Sequence, residues 1–301
     1  MEKLERADLR ELLKQRTREV EAVIERYLPE EEGYQRTIFE AMNYSVRAGG
    51  KRLRPMLMQE TYRLFGGCGQ EIEPFMAAIE MIHTSSLIHD DLPCMDNDEL
   101  RRGVPTTWVK YGYDMAVLAG DGLLIYAVET AVKACKMEAD PAAVAKAIGI
   151  LAGKTGIYGM IGGQVVDVQL TNQPIPREKL DFIYRLKTGA LLEASMMIGA
   201  LLGGAGEKDR KKVGEIASLI GVAFQIQDDI LDVTATTEEL GKPVRSDEKN
   251  QKTTYVTLEG VEKARRDVKE FSDRAIALLH ELPGENPFLE ELIRMLITRN
   301  K

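Results

Sequence analysis

Two stretches of this chain crowd carboxylates where like charges should repel. The first is Asp90-Asp91-Leu92-Pro93-Cys94-Met95-Asp96, followed closely by Asp98, Glu99 and the adjacent arginines Arg101 and Arg102. The second is Asp228-Asp229-Ile230-Leu231-Asp232. The segment before the first, AAIEMIHTSSLIHDD, has helical apolar spacing, and Pro93 disfavours helical geometry at Leu92. Asp90 and Asp91 are thus predicted at a helix C-terminus, whose dipole already presents negative charge. A carboxylate there is misplaced by about 0.3–1 kcal/mol unless a cation compensates. Asp228 and Asp232 are four residues apart, on one helical face, and also repel. Two solvated acidic helix ends would be the bland explanation of either cluster alone. Two such clusters, each ending an apolar helix and each followed by bases, point to divalent cations. Hard oxygen ligands, few in number and beside cationic side chains, suit Mg²⁺ shared with substrate phosphates, with Mn²⁺ as the alternative ion. His89 next to Asp90 suggests a metal phosphohydrolase, but such sites need several histidines, and the chain has His83, His89 and His280.

The bases are distributed to match. Lys51, Arg52 and Arg54 stand in GGKRLRP, and Arg101 and Arg102 follow the first cluster. Lys187 is in KTG, Lys242 in GKP and Lys252 in KTT. Arginine's planar fork fits phosphate oxygens bidentately, and lysine supplies a mobile point charge. Singly, each is an ordinary surface charge. Together they flank both acidic clusters and outnumber what one diphosphate needs, which suggests two. Gly49 and Gly50 would let backbone approach an anion closely.

The elements that must position these groups read as helices. Leu4, Leu9, Leu12, Leu13, Val20, Val23 and Ile24 trace one face of an opening amphipathic helix. DMAVLAGDGLLIYAVETAVKAC and DRKKVGEIASLIGVAFQIQDDIL are long, apolar and free of proline. Alternating β-branched runs that would announce strands are missing. Breakers such as Pro29, Gly66-Gly67, Pro93, Asp140-Pro141, Pro176 and Gly203-Gly204 fall at intervals fitting helix ends. The expectation is one all-α domain over residues 1–301.

Composition narrows the function. With 44% apolar and 29% charged residues the chain can bury a large core. A net charge of −8 without a basic tail argues against nucleic acid. Cys68, Cys94 and Cys135 are too few and too irregular for a disulfide framework or a zinc site and suit a reducing cytoplasm. The N-terminus lacks the apolar run of a signal peptide. GALLEASMMIGALLGGAG carries Glu193 and many small residues, reading as a buried helix rather than a membrane span.

Taken together, GGKRLRP, DDLPCMDNDELRRG, LAGDGLL, GMIGGQVVD, KTGALLEAS, FQIQDDILD and GKPVRSDEKNQKTTY resemble the all-trans polyprenyl diphosphate synthases, in their bacterial farnesyl and geranylgeranyl branch. The resemblance covers nearly the whole chain. It implies an isoprenoid synthase fold, a helical bundle around a deep central cavity with the two acidic motifs at its mouth. It implies that Asp90, Asp91 and Asp96, with Asp228 and in some members Asp229 or Asp232, hold Mg²⁺ against an allylic diphosphate. By the same resemblance Arg101, Lys187, Lys242 and Lys252 grip that diphosphate. Lys51, Arg54, His83 and Arg102 match the isopentenyl diphosphate site, and Thr188 and Gln225 stand near the developing allylic cation. A homodimer is the family expectation. Arg245 and Glu248 depart from the commoner loop residues, and Arg299 and Lys301 end the chain where relatives also carry bases.

The residue five before the first aspartate lies in the family's product tunnel, where an aromatic often stops growth at fifteen carbons. Helical rise puts Ser85 roughly 7.5 Å below Asp90. Its small side chain suggests a product of fifteen or twenty carbons, twenty favoured, with Met81 and Ile82 as an alternative floor. A class I terpene cyclase would ionise the same kind of substrate but would not need GGKRLRP or a second full acidic motif. A non-catalytic subunit of a heteromeric synthase would not need both motifs intact.

Overall fold

The opening helix forms as its spacing predicts. In α1 (Arg6–Arg26), Val20, Val23 and Ile24 are buried, and Leu9, Leu12 and Leu13 pack against the same core. The computed structural model describes residues 6–171, 173–234 and 253–298. Leu4, Lys242, Arg245, Glu248, Lys252, Arg299 and Lys301 lie outside the described residues.

Helices follow through α2 (Arg36–Arg47), α3 (Leu53–Leu64) and α4 (Glu73–Asp90). Then come α5 (Thr107–Tyr111), α6 (Tyr113–Val132), α7 (Pro141–Thr155), α8 (Met160–Gln169) and α9 (Arg177–Ile183). A π-turn over Tyr184–Gly189 leads into α10 (Ala190–Leu202), and α11 (Glu207–Thr234) is the longest. Helices Tyr255–Glu259, Val261–His280 and Pro287–Thr298 close the described chain.

The all-α expectation holds, with one short exception among the described residues. Leu100–Arg101 (β1) and Val104–Pro105 (β2) form an antiparallel hairpin. Arg102 and Gly103 make its two-residue turn, both with positive φ, at 55° and 81°, as a tight hairpin of this hand requires. Two residues per strand are too few to leave an alternating signal in the sequence.

Helix α4 runs through the middle of the bundle. From Pro74 to Ile82 every side chain is buried, against α6, α3, α1 and α10. Buried α10 also packs on α3, α7 and α11, and its Glu193 is paired with Lys154 of α7. Two stretches, Tyr113–Lys136 and Pro141–Gln169, pass for membrane spans by length and hydropathy alone, with 39% and 33% of their most apolar windows buried. A search for unbroken apolar runs misses both, because Asp121 and Glu129 interrupt the first and Lys146 and Lys154 the second. Their apolar surplus includes an outward stripe of Leu118, Ile125, Val128 and Val132 on α6.

Candidate functional site

A cavity of about 780 Å³ opens between α4, α6, α8 and the π-turn. Its wall divides by chemistry. Arg54, His83, Asp90, Gln164, Lys187 and Thr188 supply polar groups, while Leu87, Val117, Leu124, Ile161, Val165 and Leu191 supply apolar surface. A pocket of this size, mostly apolar with a few convergent charges, suits a ligand with a charged head and a hydrocarbon tail.

The end of α4 builds the acidic part. The helix stops at Asp90 as Pro93 requires, and the following loop folds back onto it. The Asp96 amide donates to the Asp90 carbonyl at 2.9 Å, and the Met95 and Asn97 amides to the Leu92 carbonyl at 2.8 and 3.1 Å. Carbonyls left open by the helix end are thereby satisfied, and Asp96 is brought back toward Asp90. Asp90 lines the cavity and accepts from Gln164 Nε2 at 2.6 Å. Burial raises its carboxyl above the usual range. Asp96 and Asp167 push the same way, against Lys187 and Arg101. Asp91 points elsewhere: it is 3% exposed and accepts from Arg101 Nε at 2.7 Å.

The hairpin aims the two arginines apart. Arg101, on β1, turns back to Asp91 and lies 3.3 Å from Asp98. Arg102, in the turn, donates to the Gly49 carbonyl. Gly50 has φ of 133°, and a Cβ there would stand 2.7 Å from the Arg102 guanidinium carbon. Gly50 therefore makes room for a side chain of this protein, where residue type alone suggests an approaching anion. In the same motif Lys51 is exposed and Arg54 reaches the cavity with a buried Nε lacking a hydrogen-bond partner. Arg52 does not join them; its guanidinium is 2.7 Å from Glu80, both side chains buried. His83 is held neutral well below its ordinary range, first by burial and then by Arg54, Arg102, Arg52 and Arg101.

Opposite, the π-turn carries Lys187 and Thr188. Gly163 of α8 allows this approach, since a Cβ there would meet the Lys187 amide at 2.3 Å. Lys187 Nζ lies 2.6 Å from Asp167. Burial would depress its ammonium, but Asp167 and Asp90 outweigh that and hold it above its ordinary range. The Thr188 hydroxyl donates to Gln225 Oε1 at 2.8 Å. Asp228 follows three residues later on α11. Asp229 and Asp232 are 4% and 5% exposed. Asp229 accepts from the Tyr184 hydroxyl and, at 2.7 Å, from the Tyr255 amide.

Gln164 and Asp167 both stand in GMIGGQVVD, where residue type alone assigns them no role. Their i, i+3 spacing on α8 was the available signal, for it puts both on one face. His89 also lines the cavity, 3.3 Å from the Val117 carbonyl and 3.6 Å from Asp121. Ser85 lines the wall, and its hydroxyl donates to the Ile82 carbonyl of its own helix at 2.8 Å. Met81 and Ile82 are packed in the core.

Among the described residues no three His, Cys, Asp or Glu side chains form a ready-made cation site. Asp91 and Asp229 are turned to other partners, which accounts for part of this. The donor set nevertheless fits a hard divalent cation. Asp90 is crowded by Asp96 and Asp167 in a partly desolvated place, and added positive charge would relieve that crowding.

Residues 35–282 match the family model described as polyprenyl synthetase. A chloroplastic geranylgeranyl pyrophosphate synthase of Capsicum annuum is 48% identical over 239 residues, 79% of this chain and 64% of that protein. The chain thus spans slightly under two thirds of that relative's length. A farnesyl diphosphate synthase of Geobacillus stearothermophilus is 44% identical over 82% of this chain and 83% of its own. Among solved structures, an apo FPP/GFPP synthase from Zymomonas mobilis superposes with a TM-score of 0.86 at 34% identity, covering 97% of this chain and 99% of that one. A Helicobacter pylori geranyltransferase complexed with magnesium and isoprenyl diphosphate gives 0.82 at 32% identity, covering 98% of each chain. Sequence, fold and the amphipathic cavity agree, and the chain belongs to the polyprenyl synthetase family.

Proposed function

We propose that this chain condenses isopentenyl diphosphate with an allylic diphosphate (dimethylallyl, geranyl or farnesyl), giving farnesyl or geranylgeranyl diphosphate. The observation that carries this reading is one cavity lined both by charged groups and by apolar surface. Lys187 of the π-turn, Asp90 and His83 of α4 and Arg54 of α3 all line it. Arg54 and Lys187, cations carried into one cavity by different elements, support two separate diphosphates. The core shared by all the packed helices supports reading residues 1–301 as one domain around this cavity.

In this reading Asp90, Asp91, Asp96, Asp228, Asp229 and Asp232 form the acidic set that would hold Mg²⁺, Asp91 by leaving Arg101. Bound there, Mg²⁺ would neutralise the leaving diphosphate and favour ionisation of the allylic C–O bond. Lys187 and Arg101, with Lys242 and Lys252, grip the same diphosphate. Lys51, Arg54 and Arg102 orient isopentenyl diphosphate, and neutral His83 offers a ring N–H to its oxygens. The Thr188 hydroxyl proton is committed to Gln225, which leaves the threonine oxygen lone pairs for the developing cation. With the double bond held about 3–3.5 Å from that cation, a new C–C bond forms. The released diphosphate takes the proton that restores an allylic product. The apolar wall excludes water, which would otherwise trap the cation as an alcohol.

The outward stripe of Leu118, Ile125, Val128 and Val132 supports a homodimer through α6. Three exposed cysteines, none in a disulfide, fit a reducing compartment such as the cytoplasm.

The test is turnover by the purified chain with labelled isopentenyl diphosphate and each allylic primer, with and without Mg²⁺. Metal-dependent chain extension is expected. No extension with any primer would overturn the reading, and a cyclic hydrocarbon from an allylic primer alone would indicate a terpene cyclase instead.

A further inference from the structure

Helix α11 meets the π-turn along a single line. Positions 221, 225 and 229 recur every four residues and share one face of the helix. They contact Gly189, Thr188 and Tyr184 in reverse order. A Cβ on Gly221 would stand 2.8 Å from the Gly189 Cα. Gln225 accepts from Thr188 at 2.8 Å, and Asp229 accepts from the Tyr184 hydroxyl. The π-turn is therefore bracketed at both ends, and Lys187 lies between the brackets.

We infer that Asp229 is a positioning residue rather than a metal ligand, fixing through Tyr184 the π-turn that presents Lys187 and Thr188. This inference rests on the proposed function and reassigns one member of its acidic set. Isolated π-turns are rare and usually sit at functional sites. Relaxation to α-helix would rotate the residues beyond it by about 100° relative to those before. Lys187, inside the turn, would take part of that rotation and shift relative to Asp167 and the cavity. The Asp229–Tyr184 contact is placed to resist it, at the first residue of the turn.

Two further observations support the assignment. Adjacent residues on a helix diverge by about 100°, so the Asp228 and Asp229 side chains leave α11 in different directions. Asp229 also ties in a third element, because its Oδ2 accepts from the Tyr255 amide at 2.7 Å. Tyr255 is anchored in turn: its hydroxyl lies 2.5 Å from Asp267 and 2.9 Å from Arg177 Nη2, and its ring lies 4.1 Å under the Arg177 guanidinium. The same carboxylate thus joins the π-turn to the helix beginning at Tyr255.

The test compares Tyr184→Phe, Asp229→Asn, Asp229→Ala and the Tyr184→Phe/Asp229→Asn double variant in the full chain. Asparagine keeps an oxygen acceptor and loses the charge a metal would need. Mg²⁺ with inorganic pyrophosphate is titrated against the melting temperature, which reads metal-dependent anion binding without turnover. Expected is a Mg²⁺ midpoint within about twofold of the parent in Tyr184→Phe and Asp229→Asn. In turnover, kcat should fall about tenfold in Tyr184→Phe and about a hundredfold in Asp229→Ala, with Asp229→Asn retaining most activity. The double variant should be no worse than its worse single. An Asp229→Asn midpoint raised tenfold or more, with Tyr184→Phe unmoved, would overturn the inference. So would full independence of the two sites in both melting temperature and kcat. Because the melting titration and its coupling need no prenyl substrate, they report on the bracket even if the parent chain extends no primer.

Discussion

Lys187, on the cavity wall, and Asp167 form a 2.6 Å ion pair that joins the π-turn to α8. If Lys187 grips an allylic diphosphate, Asp167 holds its ammonium charged and in place before substrate arrives. Asp167→Asn should then lower kcat/KM for the allylic substrate roughly tenfold or more, as loss of a supporting partner does elsewhere. The KM for isopentenyl diphosphate should barely change, because Arg54 and His83 lie on other elements. Steady-state kinetics varying each substrate separately decide this. Equal rises in both KM values would mean that Asp167 supports the fold rather than Lys187.

Gln164 Nε2 stands 2.6 Å from Asp90, and the two should differ in the depth of their effects. Asp90→Ala removes a proposed metal oxygen and should cost roughly 10³-fold in turnover. Gln164→Ala removes only the group that orients it, so the Mg²⁺ needed for half-maximal rate should rise about 10-fold, partly rescued at high Mg²⁺. Chelation of Mg²⁺ should stop turnover while leaving the helical circular dichroism intact, because the core is built without these carboxylates. An Asp90→Ala variant as active as the parent would sink the proposed mechanism.

How much of this was legible in advance follows from the kind of signal each feature leaves. Helix ends at Asp90 and Pro176 were readable because proline and the loss of apolar spacing act locally. The cavity-facing places of Ser85, His83, Asp90 and Lys187 follow from recognisable motifs. Direction was not legible. DD and GGKRLRP give residue types, but whether Asp91 turns to Arg101, or Arg52 to Glu80, depends on a hairpin and on α4, far away in sequence. Gln164 and Asp167 carried only an i, i+3 spacing that many surface helices share. The π-turn has no sequence signature, being a matter of backbone hydrogen bonding over Tyr184–Gly189.

Ser85 is 2% exposed and lines the cavity with its hydroxyl turned back to its own helix. A small, self-satisfied side chain leaves the apolar channel open beside it. Ser85→Phe should therefore fill that space and shift the product toward the shorter chain. Reverse-phase separation of the dephosphorylated products reads the outcome. An unchanged product distribution in an active, folded variant would mean that chain length is set elsewhere on the wall.

His83 makes a prediction about acid. Its imidazole is held well below the ordinary value of 6.5 by burial and by the neighbouring arginines. In the unfolded chain it takes up a proton near 6.5, so on acidification the unfolded state binds more protons than the folded one. Its stabilising contribution is full above about pH 6.5 and is lost as the pH falls toward the lower folded value. Asp90, raised by burial, acts in the opposite sense, with a contribution lost as the pH rises from its ordinary 3.8. Comparing parent with His83→Gln removes the common Asp90 contribution. The variant should lose less melting temperature than the parent between about pH 7 and 5. Identical losses would show that His83 titrates as it does in the unfolded chain.

Arg52 tests how far a motif can be divided. It sits at the start of α3 with φ of 48°, its guanidinium donating to Glu80 at 2.7 Å and to the Val46 carbonyl at 2.6 Å. Lys51 and Arg54 flank it in the sequence, and residue type alone offers all three as diphosphate donors. Burial separates them, because a charge in the core needs a fixed counter-charge while one at a cavity wall can wait for its ligand. Removing one partner of a buried pair leaves the other charge uncompensated, typically at about 3–5 kcal/mol. Glu80→Ala should lower the stability against urea by about that amount, and Glu80→Gln by less, since the amide keeps an acceptor for Arg52. At a temperature where both variants remain folded, the KM for isopentenyl diphosphate should stay close to the parent value. Unchanged urea unfolding together with a tenfold rise in that KM would place Arg52 at the substrate site.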